Sequence, residues 1–293
     1  YPPNRLRITN SIGFMKHPSQ SKTRSSSHKA KYTSLTPPPR WRKPSPLVFV
    51  ALLIGIAFFV HGLWISELTP ARLWRGIFRL SDFLGQALPP NPKRLGSIIR
   101  ATLETFEMAL VGTVFGALLS LPLSILAAKN TTPHPWWFSV SRSFVTLLRV
   151  IPDLIWGLIF IIVVGLGPAA GIMAITMDVM GFCGKFFAER IEEIEPGPIE
   201  ALRAIGASEA SIIIGAIFPT TLPSFVASTL FSLESSIRSA VVLGLVGAGG
   251  IGVELSTSMQ LLRYDEALMV IIVIFVVVLL VEEVSSWIRK MII

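Results

Sequence analysis

The sequence carries one cysteine, Cys183, in 293 residues. A lone cysteine excludes an internal disulfide and a zinc site built on cysteine pairs. Cys183 sits in an apolar stretch, where a small buried hydrophobe is its expected role. Charge is scarce as well: 15% of residues are Asp, Glu, Lys or Arg, against 52% apolar. That little charge cannot coat a water-soluble domain with so large an apolar load, so lipid must serve as part of the solvent. The four histidines are scattered, and no catalytic triad or metal-ligand spacing emerges. The chain also lacks a G-x-x-x-x-G-K-[ST] loop, the cradle needed to bind ATP phosphates itself. No long internal repeat is visible.

Acidic residues are absent from residues 1–46, which hold ten Lys/Arg from Arg5 to Lys43. The remainder then carries 16 basic and 18 acidic groups, nearly balanced. The net charge of +8 is therefore a basic tail beside an apolar span. This reads as a membrane-topology signal rather than a nucleic-acid surface. The Ser/Arg/Lys-rich start has the composition of a disordered cytoplasmic tail, and a transit peptide shares it. Met15 is a candidate start within it.

Apolar runs predict an all-α, polytopic membrane protein with about six transmembrane helices. Residues 47–65 form the first, with His61 inside it. In 66–100, Arg72, Arg75 and Arg79 recur at helical spacing among Leu73, Trp74, Ile77 and Phe78. That pattern predicts an external, interfacial helix, broken by Pro89, Pro90 and Pro92. Met108–Ala128, extended back toward Ala101, is the second span, with 129–142 read as a loop. Phe144–Phe187 is twice too long for one crossing and must fold back, with Gly165-Leu166-Gly167-Pro168 as the hinge. Ser211–Leu233 and the core Ala267–Val281 give spans five and six. With the tail inside, 17 Lys/Arg fall on inner segments and eight on outer ones. Both termini are thus expected in the cytoplasm.

Between spans four and five runs Glu195-Pro196-Gly197-Pro198-Ile199-Glu200-Ala201-Leu202-Arg203-Ala204-Ile205-Gly206-Ala207-Ser208. Pro196 and Pro198 end one helix, Pro198 can open a new one, and Gly206 can close it in a left-handed cap. Ile199, Leu202 and Ile205 form an apolar stripe at spacing three. A two-turn amphipathic helix of about 198–206 results, suited either to a groove on a soluble partner or to an ordinary interfacial loop. Its residues resemble the EAA motif of ABC-importer permeases: Glu200, Ala201, Gly206 and Pro219 fall on the pattern at the right spacing. Leu202, Ala216 and Phe218 depart from it while keeping apolar or small character. Together with Glu234-Ser235-Ser236-Ile237-Arg238-Ser239-Ala240 and Val246-Gly247-Ala248-Gly249-Gly250-Ile251-Gly252, the chain resembles phosphonate-transporter permeases over residues 100–290.

The resemblance implies a type I importer core at 101–290 with an extra N-terminal helix, in the bacterial inner membrane. It implies coupling to the ATPase through Glu200, Ala201, Leu202, Arg203, Gly206 and Pro219. Two copies of a cytoplasmic ATPase would hold the ATP and Mg, and this chain no cofactor. An extracytoplasmic binding protein would deliver the cargo, and a second permease copy would complete a homodimer. The glycines at 247, 249, 250 and 252 would shape a bend before the last span. Three of them also satisfy G-x-G-x-x-G after the strand-like run Ala240–Val246. A dinucleotide turn, however, needs a βαβ context and an acidic residue about 20 positions on, and both are missing.

Charges inside spans are costly and default to functional hypotheses. Arg149 and Asp153 in span three, Asp178 and Lys185 in span four, and Glu234 and Arg238 beyond span five are those. At i,i+4 spacing, Arg149–Asp153 and Glu234–Arg238 are expected to pair. Arg238, with Ser235, Ser236 and Ser239, and with Arg149 and Asp153, forms the candidate path for a phosphorus oxyanion. Asp153 and Asp178 alternatively suit an ion-coupled secondary transporter. Nothing in the sequence assembles a membrane-embedded enzyme site.

Overall fold

A computed structural model describes residues 45–67 and 69–292, so the basic segment up to residue 44 lies outside the described residues. Among the described residues every regular element is helical. Helix α1 (Pro46–Ile65) stands as a unit by itself; Ser45 caps it, accepting from the Val48 amide, and proline opens it.

The second unit begins with α2 (Pro70–Ala87), capped by Thr69 and closed before Pro89. It packs on the last helix, with Phe83 edge-on to Tyr264 at 5.1 Å. A short 3-10 turn (Pro92–Arg94) leads into α3 (Leu95–Ala127). Next come α4 (Pro135–Val150), α5 (Asp153–Val164) and α6 (Pro168–Glu192). They are followed by α7 (Pro196–Ala204), α8 (Glu209–Ile212), a π turn (Ile213–Ile217) and α9 (Phe218–Leu245). The chain ends with α10 (Ile251–Gln260) and α11 (Tyr264–Ile292). Five of these segments are long and apolar enough to cross a membrane, and α4 with α5 makes a sixth if the bent pair counts as one span.

The core is the seam between α3 and α6, the most extensive helix pair. Gly112 and Gly116 recur at small-xxx-small spacing. A Cβ at Gly112 would fall 2.7 Å from Ile175 Cγ2, and one at Gly116 2.6 Å from Val179 Cβ. Lipid supplies no hydrophobic drive between helices, so such close backbone packing is what holds them. Helix α9 joins the seam through a buried bond from the Thr113 hydroxyl to Ser236 Oγ, 3.0 Å.

Four expectations change. Residues 129–142 are not all loop: α4 starts at Pro135, with His134 Nδ1 accepting from the Trp136 amide. Proline here opens a helix, because the first-turn amides need no helical partner. Span three is broken, since α4 and α5 meet at 91° across Ile151 and Pro152. Proline disfavours helical geometry in the residue before it, and Ile151 is extended, with ψ 116°. Helix α9 runs on to Leu245, so Glu234 and Arg238 lie inside it rather than beyond it, and the strand-like run from Ala240 is helical as far as Leu245. Finally, α7 opens at Pro196 rather than Pro198. The hinge at Gly165–Pro168 is present, with both glycines at positive φ.

Candidate functional site

At one end of the bundle, α7 rests mainly on α8 and the π turn. Its C-terminus closes in a Schellman geometry. The Gly206 amide donates to Arg203 O and the Ala207 amide to Leu202 O, both at 3.1 Å, with Gly206 at φ +82°. Arg203 reaches across to Glu209 at 3.0 Å, tying α7 to α8. The expected apolar stripe does not face outward as a whole. Ile199 is buried and Leu202 packs on the core cluster that contains Ile191 and Ile212, while Ile205 is 79% exposed. Two of the three stripe residues fasten α7 to its own bundle, because an apolar side chain beside a core is withdrawn from water first. The face left open carries Glu200, Ala201, Arg203, Ala204 and Ile205. Pro219 follows the π turn directly. A five-residue turn lets the ladder pass a residue that has no N–H to give.

At the other end, the glycine segment forms a tight turn between α9 and α10. Gly247, Gly249 and Gly250 all have positive φ. Gly252 lies against α9 so closely that a Cβ on Gly244 would be 2.8 Å from the Gly252 Cα. The turn is held from α3: Glu104 accepts from the Gly250 amide at 3.0 Å and Thr105 from the Ile251 amide at 2.7 Å. These are the unsatisfied first amides of α10, so α3 caps another helix. Gly247 O also accepts from the Gly167 amide at the hinge. Arg94 bridges Glu254 at 2.6 Å and Glu266 at 3.5 Å, and Asn91 donates to Asp265 at 2.8 Å. The sequence reading passed over Glu104, Thr105 and Arg94. A carboxylate at the head of an apolar run was the signal that could have found Glu104.

Between the two ends lie the intramembrane charges. Glu234 pairs with Arg238 at 3.0 Å, as expected, and also with Arg289 of α11 at 3.6 Å. Glu234 is nearly enclosed, its side chain 11% exposed, while Arg238 is largely open. Ser235 and Ser239 are half-buried. Ser236 is turned into the seam with Thr113 and is not grouped with Arg238. Arg149 and Asp153 do not pair: the bend puts them on different helices, and Asp153 accepts from the Leu154 amide at the start of α5. Lys185 meets Glu189 at 3.6 Å. Cys183 is fully buried against Ser232, Sγ to Oγ 3.4 Å.

Residues 120–292 match the family described as "Binding-protein-dependent transport system inner membrane component". The chain is 36% identical over 250 residues to the phosphite transport system permease protein PtxC of Stutzerimonas stutzeri, covering 85% of this chain and 90% of that one. It is also 36% identical over 245 residues to the phosphate-import permease protein PhnE of Mycolicibacterium smegmatis, 83% of this chain and 45% of that protein. In fold it is similar to the MetNI methionine ABC transporter in inward-facing conformations, with a TM-score of 0.62 at 23% identity over 69% of this chain and 99% of the other. With 59% of the chain inside the family match and relatives at this identity over most of its length, the chain belongs to the binding-protein-dependent inner membrane components and is an importer permease.

Proposed function

We propose that this permease admits a phosphorus oxyanion — phosphonate, phosphite or phosphate — driven by ATP hydrolysis on separate subunits. The single observation that carries the coupling is the build of α7. Ile199 and Leu202 anchor it, the Gly206 cap stiffens it, and Glu200, Ala201, Arg203 and Ile205 are left to meet a partner. A short helix held this way transmits a push as a lever, because its own core contacts move with it. The partner is a cytoplasmic ATPase, two copies per importer, carrying ATP and Mg. This places the α7 end and both chain termini in the cytoplasm. A second copy of this chain completes the pore, and an extracytoplasmic binding protein delivers cargo to the α10 end.

The cargo class follows from the transport named for the relatives and from the chemistry of α9. Arg238 stands open, oriented by Glu234, with Ser235 and Ser239 beside it. A guanidinium and hydroxyls suit a tetrahedral oxyanion. Because Glu234 also neutralises it, Arg238 holds an anion only loosely, as an importer that must release its cargo requires. No observation favours ion-coupled transport through Asp153 and Asp178.

The test is uptake of phosphite, methylphosphonate and phosphate by cells expressing the whole importer. Arg238→Gln is expected to abolish uptake with assembly intact. Full transport by that variant removes the role of Arg238, and absence of uptake for all three anions by the wild type removes the cargo class.

A further inference from the structure

Helix α4 and helix α6 enclose an open cavity of about 410 Å³, within the range of small-molecule sites. Three cations line it: Arg142 and Arg149 from α4 and Lys185 from α6, together with Thr146, Val145 and Val150. Arg142 and Arg149 are seven residues apart, two turns on one face, about 10 Å along the axis. No carboxylate lines the cavity. Glu192 holds Arg142 at 2.8 Å and Glu189 holds Lys185 at 3.6 Å, and neither glutamate is part of the wall. Arg142 is fixed a second time, its Nε donating to Ala127 O at 3.0 Å. Among the described residues Arg149 makes no ion pair. Asp178 and Asp153 are the carboxylates of its electrostatic surroundings, and neither lines the cavity. Two tethered cations and one without an ion pair, converging between apolar walls in a membrane protein, call for an anion.

We infer that this cavity binds a phosphorus oxyanion, with Arg149 as its principal contact and Arg142, Lys185 and Thr146 completing the site. The tetrahedral group accepts paired hydrogen bonds from a guanidinium fork and point attraction from an ammonium. Two sources offer that group: the transported ion and a phospholipid headgroup. The first rests on the cargo class proposed above, and the second does not. The cavity runs from the ends of α3 and α6, marked by Ala127 and Ala188, up to Arg149 beside Gly181. It therefore lies toward the α7 end, separate from Arg238 on α9. For the transported ion it is a release station, passed after Arg238.

The experiment uses the purified full chain in nanodiscs. In zwitterionic lipid alone, binding of radiolabelled inorganic phosphate is measured by equilibrium dialysis. In discs containing phosphatidylglycerol, retained anionic lipid is counted by native mass spectrometry. Arg149→Gln is expected to weaken the bound species roughly tenfold or more, with Arg149→Lys keeping part of it. Lys185→Gln and Thr146→Val are expected to weaken it less, and they decide the matter should Arg149→Gln fail to fold. Loss of phosphate binding in the first arm identifies the free ion, and loss confined to the second identifies a headgroup. Binding by the wild type and all variants that is equal in both arms, or absent from both, overturns the site. Cellular uptake separates this from the cargo proposal: no uptake with binding intact sinks the cargo class alone.

Discussion

The two ends of the bundle are built from the same kinds of residue and are secured in different ways. At the α10 end, the turn is stapled by long-range bonds: Glu104 and Thr105 reach Gly250 and Ile251 across 146 residues, and Arg94 bridges α10 and α11. Backbone also meets backbone there, at Gly244 and Gly252. At the α7 end, the ties are local. Arg203 reaches Glu209 six residues away, the cap closes on α7 itself, and two side chains, Ile199 and Leu202, carry the inward packing. Fewer and more local contacts mean a lower free energy of local opening. An element that must respond to a partner is drawn from that end of the stability range, while the α10 end serves as the fixed frame.

The sharpest way to break this contrast is Gly252→Leu. Its Cβ would collide with the Val241 carbonyl and with Gly244, and backbone cannot yield as a side-chain tip can. Little or no folded protein is expected in detergent size-exclusion chromatography. A normal yield would show that the α10 end is not rigid. Next comes Glu200→Lys on the exposed face of α7. A charge reversal at a docking surface disfavours association, so ATPase activity coupled to the importer should fall roughly tenfold or more, with melting temperature unchanged. A loss of stability instead would make Glu200 a structural residue.

A smaller effect is expected for Gly206→Ala. A side chain at φ +82° is disfavoured by about 1–2 kcal/mol. The Schellman cap then frays and coupling weakens, measurable as more ATP hydrolysed per ion imported. Least of all is Arg203→Ala. Its bridge to Glu209 is exposed on both sides, and such pairs contribute about 0–1 kcal/mol. A change in Tm near the resolution of the measurement is expected, and a large drop would mean that α7 is held by charge rather than by Ile199 and Leu202.

Much of this was legible in the linear chain where the signal is local. The hinge announces itself as Gly165-Leu166-Gly167-Pro168, and Gly206 six residues after Glu200 announces a capped helix. Proline was the residue most often misjudged. At Pro135 it opens a helix that was expected to be loop, and at Pro152 it breaks a span that was expected to be whole. Both follow from the same ring: it removes one amide, harmless in a first turn, and it restricts the residue before it wherever it falls. The misreading at Pro152 carried the Arg149–Asp153 pair with it, since i,i+4 spacing means contact only within one continuous helix.

The sequence by itself determined the apolar spans, the turn between α5 and α6, the cap at Gly206 and the motif around Glu200, because each depends on residues within a turn or two of one another. Only the tertiary structure decided that Ile199 and Leu202 face the core while Glu200 faces out. Packing alone joined Arg149 to Lys185 across α4 and α6, and Glu104 to the turn before α10. Spacing along a helix states which residues share a face, but the partner for that face comes from another helix, chosen by how closely the two backbones can approach.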